Sequence, residues 1–186
     1  MLKTMLMRCF IGIDLPPPLK TEVVTWRDTY WPDAESSKPV PACNLHMTLL
    51  FIPALSLDVQ KSFIEKLDVS CIKPFTLHLD YTNHWQKPAI AWLSALKPSV
   101  ELLTLQKSVS QQCSALGIAS PDLIRSYQPH VTLLRKFKSL TKYPQPPKNW
   151  QCRVEQVHLF ESHSGANGVR YPIVETWTLG EENYGR

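Results

Sequence analysis

No apolar run in this 186-residue chain approaches the roughly 20 residues of a membrane-spanning helix. No small-residue cleavage site follows the mildly apolar start Met1–Arg8, which runs straight into Cys9-Phe10-Ile11-Gly12-Ile13. That stretch reads as a first strand, and the expected location is the cytoplasm. The cysteines are Cys9, Cys43, Cys71, Cys113 and Cys152, an odd number spread evenly, with no pair at metal-ligand spacing. This usage speaks for reduced, partly buried thiols and against a disulfide framework or a zinc site. Motifs of the HExxH, CxxC, Walker A and G-x-S-x-G kinds are missing too, which removes the support for zinc-hydrolase, nucleoside-triphosphatase and serine-hydrolase readings. Charge is sparse at 19% of residues, with a net +4, a mild excess compatible with a phosphate-bearing substrate. What remains is an ordinary globular balance with 44% hydrophobic residues. The length suits one domain over residues 1–186, enough to bury a sizeable core.

The patterning is that of an α+β protein. Residues 8–14 are β-rich, and Leu15-Pro16-Pro17-Pro18 stops them; a helix over Leu19–Tyr30 follows, opened by proline. Asp33–Pro41 reads as loop, and Leu45–Phe51 as a strand ended by Pro53. Ser56 is placed to cap a helix with Val59, Phe63, Ile64 and Leu67 on its buried face. Phe75–Asp80 alternates strictly, and Ala89–Ala95 reads as its hairpin partner. Ser99 caps the longest helix, with Leu102, Leu105, Val109, Cys113 and Leu116 on one stripe and Gly117 as its stop. Strands are expected at Pro129–Arg135, Val154–Glu161 and Tyr171–Leu179, separated by Tyr143–Pro147 and the Ser164–Gly168 loop.

One internal echo stands out. His46-Met47-Thr48-Leu49-Leu50 returns 84 residues later as His130-Val131-Thr132-Leu133-Leu134. Six histidines and twelve threonines in this length make about 0.4 His-x-Thr tripeptides the chance expectation, whereas two occur with the same apolar filler and the same tail. Residues i and i+2 of a strand share a face. His46 therefore projects with Thr48, and His130 with Thr132, while the residues between them point into a core. Two such strands brought together by a duplicated lobe surround one cavity with two imidazoles and two hydroxyls. Hydroxyls donate to phosphate oxygens, and imidazole exchanges protons near neutral pH. The alternative is a half-buried strand pattern that arose twice, with His and Thr on an exposed face.

These paired H-x-T-x motifs resemble those of the 2H phosphoesterase superfamily, and within it the LigT-like bacterial RNA 2′,3′-cyclic phosphodiesterases, historically called 2′-5′ RNA ligases. The likeness spans nearly the whole chain. Arg8–Pro16 resembles the family's opening strand, and Asn44–Leu49 its first motif. Tyr127–Arg135 resembles the second, with its preceding proline and trailing arginine. Leu159–Ser162, Tyr171 and Trp177 fit the final hairpin. Phe51-Ile52-Pro53 departs from the Phe-Leu-Gly turn usual after the first motif, which puts a local turn in question. The resemblance implies two pseudo-symmetric lobes of mostly antiparallel sheet, with flanking helices, around a central cleft. It implies opening of RNA 2′,3′-cyclic phosphates to 2′-phosphomonoesters by a monomer without metal or cofactor. His46 is then the proton donor and His130 the proton acceptor, Thr48 and Thr132 hold the phosphate, and Arg135 neutralises its charge. Strict alternation places Arg135 on the face opposite His130, so this last role requires the strand to end or bulge there.

The other histidines, His78, His84, His158 and His163, lack a companion threonine in sequence. Arg135, Lys136, Lys138, Lys142 and Lys148 form a basic stretch that reads either as an RNA-backbone track or as a solvated edge. Trp85 and Trp150 are candidates for stacking on a base, though core or rim positions are the commoner fate of tryptophan. Two alternative functions use the same residues: an RNA-end or phosphate-binding module without turnover, and 2′-5′ RNA ligation.

Overall fold

The computed structural model describes residues 6–31, 37–137, 144–146, 149–166 and 168–180. The chain runs β1 (Leu6–Asp14), α1 (Pro17–Tyr30), β2 (Lys38–Pro39), β3 (His46–Ser56), α2 (Leu57–Lys66), β4 (Phe75–Leu79), β5 (Tyr81–Trp85) and β6 (Ile90–Ser94). It continues through α3 (Val100–Ala115), β7 (Val131–Arg135), β8 (Trp150–Val154), β9 (Gln156–Glu161), β10 (His163–Gly165), β11 (Gly168–Arg170) and β12 (Ile173–Thr178). Asp33–Ser36 of the expected loop, Lys138, Lys142, Tyr143, Pro147 and Lys148, named above, lie outside the described residues, as do Met1–Met5 and position 167 of the expected Ser164–Gly168 loop.

Local chemistry accounts for the helices. Proline occupies the opening turn of α1, where a missing N–H is harmless. Ser56 Oγ accepts from the Val59 amide at 3.4 Å, and Ser99 Oγ from the Leu102 amide at 3.2 Å. Each thereby satisfies an amide with no partner inside its helix. Gly117 takes a left-handed φ of 69° just past α3, as its position predicts. The α3 stripe Leu102, Leu105, Val109 and Cys113 is buried, with Leu116 partly so. In α2 the buried face is Gln60 and Phe63, with Ile64 and Leu67 beside them, so Val59, expected inside, is 41% exposed.

Eight strands form an antiparallel sheet in the order β12-β9-β1-β3-β7-β6-β5, with β2 pairing additionally to β7. Several expectations need correction. Lys38–Pro39, expected as loop, forms β2, and the expected Ser164–Gly168 loop is the tip of the β10–β11 hairpin. β6 pairs with β5 and β7, while β4 pairs with β8 in a separate ribbon. The expected strand Val154–Glu161 is two strands, β8 and β9, on different sheets. β3 also runs through Pro53 instead of ending there. Met7 faces Leu55 and Cys9 faces Ile52, so β3 bulges at Pro53-Ala54. A bulge leaves residues off the ladder and tolerates a proline without an N–H. Phe51-Ile52-Pro53 is therefore strand, not turn.

The repeat organises this sheet into two related halves. β3 and β7 meet through Met47 opposite Val131, the same position of the two motifs. Antiparallel pairing of equivalent residues is a local twofold axis. Further registers extend the relation: Gly12 faces Thr48 as Trp92 faces Thr132, and Ile13 faces Met47 as Leu93 faces Val131. Thus β1-α1-β3 corresponds to β6-α3-β7. Both motif strands also bulge alike. Ile11 faces Leu50 while Gly12 faces Thr48, leaving Leu49 over; Ala91 faces Leu134 while Trp92 faces Thr132, leaving Leu133 over. Consecutive leucines are therefore both buried in each tail, Leu49 with Leu50 and Leu133 with Leu134.

One face of the sheet packs on the helices into the main core, which includes Ile11, Ile13, Met47, Val131, Leu19, Val23, Leu102 and Leu105. Phe10, Phe160 and Trp92 are buried outside that cluster, on the face that carries the histidines. Gly12 lies where β1 approaches β3 closely: a Cβ there would stand 2.8 Å from the Met47 carbonyl oxygen. We expect Gly12→Ala to destabilise the fold by about 1–3 kcal/mol, the usual cost of overpacking. Urea unfolding checks this, and an unchanged midpoint would mean that the two strands can part without cost.

Candidate active site

His46 opens β3, and His130 immediately precedes β7. Continuing the Met47–Val131 register by one residue each way sets His46 opposite Thr132 and Thr48 opposite His130. All four lie on the face away from Met47 and Val131, and each is half-buried. Side chains opposite each other in such a pair have Cβ atoms about 5 Å apart. Two imidazoles and two hydroxyls thus ring one patch of sheet, as the motifs predict.

Both rings are tethered in the same way. His46 Nδ1 lies 2.7 Å from the Asn44 carbonyl, and His130 Nδ1 lies 2.8 Å from the Gln128 carbonyl. A carbonyl only accepts, so Nδ1 carries the hydrogen and Nε2 is left as the acceptor in the neutral ring. Aromatic walls fix the ring planes. Phe10 stacks on His46 at 4.5 Å, with Tyr171 edge-on at 5.1 Å and Phe160 at 5.8 Å. Trp85 meets His130 edge-on at 4.7 Å. Phe160 and Trp85 are equivalent across the twofold, since Phe10 faces Phe160 and Ile90 faces Trp85. The registers that reveal this equivalence are not readable from spacing.

Arg135 illustrates what the bulges do. By plain alternation it would point away from His130. The extra residue at Leu133 shifts the phase, so His130, Thr132 and Arg135 share a face. Its guanidinium disfavours the charged form of both imidazoles. The equivalent position in the first half is Phe51, over whose ring the Arg8 guanidinium sits at 5.4 Å.

Burial dominates the titration of both rings. It pushes His46 down to about 4 from 6.5, against the Asn44 carbonyl and the Asp14 carboxylate, which favour its charged form. Asp14 faces His46 across β1 and β3 and is paired to Lys20 Nζ at 2.6 Å. His130 is lowered chiefly by burial too, opposed by the Gln128 carbonyl and by Asp122. Both rings are therefore neutral in the free protein at pH 7. A bound phosphate anion would favour the imidazolium of either.

Of the remaining histidines, His158 does have a threonine partner, contributed by the neighbouring strand: its Nδ1 lies 2.9 Å from Thr176 Oγ1. His78 contacts Asn149, and His163 Nε2 lies 3.1 Å from Glu161. Trp150 is buried, its indole nitrogen donating to Glu22 at 3.1 Å, so it is a packing residue and not a stacking platform. Among the described residues no group of three or more His, Cys, Asp or Glu side chains converges, and no helix is long and apolar enough to cross a membrane. The segment before the second motif is tied to β3: Asp122 accepts from the Phe51 amide at 2.9 Å, and Tyr127 Oη donates to the Thr48 carbonyl at 3.2 Å. Neither contact is signalled by any sequence pattern.

The model of the 2′-5′ RNA ligase superfamily matches residues 15–166, and the chain belongs to that superfamily. Among its relatives is the RNA 2′,3′-cyclic phosphodiesterase of Escherichia coli K12. The two are 32% identical over 173 residues, covering 92% of this chain and 96% of the relative. The RNA 2′,3′-cyclic phosphodiesterase of Methanocaldococcus jannaschii is 25% identical over 182 residues, covering 92% of this chain and all of the relative. The crystal structure of E. coli LigT complexed with 3′-AMP superimposes with a TM-score of 0.87 at 30% identity, over 94% of this chain and 99% of that one.

The depressed histidines give a direct test. The ring protons of His46 should titrate near pH 4 by NMR, and saturating inorganic phosphate should move the midpoint upward. A midpoint at the ordinary value near 6.5 would contradict the buried setting. Unfolded histidines bind protons near 6.5, so the folded state should lose stability as pH falls from 6.5 toward 4.

Proposed function

We propose that this chain hydrolyses RNA 2′,3′-cyclic phosphate ends to 2′-phosphomonoesters, with His46 as proton donor and His130 as proton acceptor. The observation that carries the reading is the pair of identically tethered imidazoles, each opposite the other's threonine, with Arg135 returned to their face by a bulge. The superfamily match and the two phosphodiesterase relatives point the same way.

The chemistry follows from the bare Nε2 atoms. Neutral His130 accepts a proton from water as its oxygen attacks phosphorus. Protonated His46 delivers a proton to the departing 3′ oxygen. The donor role runs against the buried setting of His46, which favours the neutral ring. The substrate's own negative charge resolves this, because an anion beside the ring favours imidazolium. Thr48 and Thr132 hold the non-bridging oxygens, and Arg135 offsets charge that builds up on them. No cofactor is invoked. One chain supplies every group named, so a monomer suffices, and RNA ends are the partner. The cytoplasm is the proposed location, in keeping with five free thiols, of which Cys9, Cys113 and Cys152 are buried.

His46→Ala and His130→Ala should each lower turnover of a cyclic-phosphate dinucleotide by about 10²–10⁴-fold, the usual general acid–base contribution. The double variant should lose far less than the product of the two. Near-wild-type turnover by either single variant would refute the mechanism. Loss of binding to the 2′-phosphate product in step with rate would favour a binding module instead.

Replacing both Thr48 and Thr132 by Val should weaken catalysis while leaving the melting temperature nearly unchanged, since valine suits a strand equally. Arg135→Ala should raise KM more than it lowers stability, because the side chain is exposed. Activity should persist in excess EDTA, and turnover lost on chelation and regained with a divalent ion would overturn the metal-free step.

A further inference from the structure

At the end of β7 lies a pair of cations of which the mechanism above uses only one. β2 sets Lys38 opposite Arg135 and Pro39 opposite Leu134. Residues directly opposite each other in an antiparallel pair share a face. The bulge at Leu133 turns Arg135 to the histidine face, so Lys38 stands on that face too. Both residues are exposed, and among the described residues no carboxylate pairs with either. Like charges directly opposite each other destabilise a sheet. The fold nevertheless holds them there. Arg27 on α1, 3% exposed, donates from Nη1 to the Val40 carbonyl at 2.5 Å and to the Leu133 carbonyl at 3.4 Å. The Val40 amide donates to the same Leu133 carbonyl at 2.9 Å. A buried guanidinium thus fastens a two-residue strand to the bulge of β7. Just past Arg135, Lys136 takes a left-handed φ of 55°, uncommon in a residue with a Cβ, and Phe137 turns into the core beside Trp31. β7 therefore stops with Arg135 at its tip.

The pair belongs to one half only. Lys38 stands eight residues before His46, and Asp122 eight residues before His130. Arg135 and Phe51 are likewise equivalent. Where Lys38 faces Arg135, the other half has the Asp122 carboxylate accepting from the Phe51 amide at 2.9 Å, with the Arg8 guanidinium over the Phe51 ring. The cationic end lies on the His46 side. Thr132 is opposite His46, and Arg135 follows it outward along β7, where β2 takes the place of β3. We propose that Lys38 and Arg135 form a second phosphate site, which takes the phosphodiester on the 5′ side of the nucleotide bearing the cyclic phosphate. With His46 as proton donor, the reading on which this site rests, the ribose carrying the departing 3′ oxygen lies on the His46 side of phosphorus. The next phosphate of an RNA strand is one sugar further on, toward the pair. Arg135, with five donors, reaches both phosphates, and Lys38 touches only the outer one. An anion between the two cations accepts charge-assisted hydrogen bonds and offsets their mutual repulsion. The preferred substrate is then the 3′ end of an RNA strand, selected over a free cyclic mononucleotide.

Two substrates separate the second site from the first. Adenosine 2′,3′-cyclic phosphate has no 5′ phosphate to set beside Lys38, whereas adenylyl-(3′-5′)-adenosine 2′,3′-cyclic phosphate has one phosphodiester there. Wild-type protein should turn over the dinucleotide with a kcat/KM about tenfold higher or more, the scale of a charge-assisted contact. Lys38→Ala should remove most of that preference by raising KM for the dinucleotide, with mononucleotide turnover kept within about threefold of wild type. Lys38→Arg should keep the preference. The slope of log KM against log salt for the dinucleotide should fall by about 0.7 in Lys38→Ala, one phosphate contact fewer. Lys38 is exposed, so the melting curves of both variants should match wild type. Equal losses on both substrates overturn the second site. A preference that survives Lys38→Ala also overturns it, and leaves Lys38 as a charge that guards a strand edge. Wild-type protein with no preference for the dinucleotide overturns it with the phosphodiesterase reading intact. Wild-type protein inactive on both substrates defeats that reading itself.

Discussion

The pairing of Met47 with Val131 is the contact on which everything else depends. It joins two half-sheets at equivalent positions, and so makes a local twofold axis out of two copies of one motif. Whatever one motif presents toward the substrate, the other then presents from across the seam. Each half needs only to be locally correct. A loop carbonyl orients the ring, a hydroxyl follows two residues on, and a bulge resets the phase behind it. The axis does the rest. Tight approach at Gly12 holds β1 against the same seam from one side, and no residue with a Cβ fits there without displacing backbone.

Symmetry alone would make the two histidines interchangeable, and several side chains break it. Arg135 has no charged counterpart in β3, where Phe51 occupies its place and Arg8 approaches from the neighbouring strand. Asp14, paired to Lys20, faces His46, and the corresponding residue of the second half is Ser94, whose hydroxyl bonds the Pro129 carbonyl. Each ring has a carboxylate in its field, Asp14 for His46 and Asp122 for His130, and Arg135 acts on both, so the halves differ in where these charges are held and not in their signs. The aromatic surroundings differ as well, with Phe10, Phe160 and Tyr171 crowding His46 and Trp85 beside His130.

Much of this was legible in the residues. Helix caps at Ser56 and Ser99, the stop at Gly117 and the two motif strands all follow from local chemistry, and the repeat itself foretells the convergence of two imidazoles and two hydroxyls. The errors share one cause. Pairing partners are set by long-range packing, so Phe75–Asp80 and Ala89–Ala95, successive β-rich runs, read as a hairpin although Tyr81–Trp85 forms a strand between them. Bulges are equally silent in one sequence read alone. Two leucines in a row after each His-x-Thr were the visible trace of them: a strictly alternating strand would bury only one of the pair, and here both are buried. That trace returns Arg135 to the histidine face, whereas the second bulge of β3, at Pro53-Ala54, leaves no such mark.

The shared Nδ1 tether has a consequence for the timing of a catalytic cycle. Each turnover of the proposed mechanism ends with the proton on the opposite ring from where it began, since His130 has gained one and His46 has given one up. The protein must exchange them before it can act again. Because both rings are anchored at Nδ1, neither can flip to pass a proton, and the exchange runs through Nε2 and solvent once the product has left. Burial hastens one half of that reset, since a ring with a depressed pKa sheds its proton readily. It impedes the other half, since burial disfavours the charged form of His46 while an anion beside the ring favours it. In the proposed mechanism, arrival of the next phosphate therefore arms the donor.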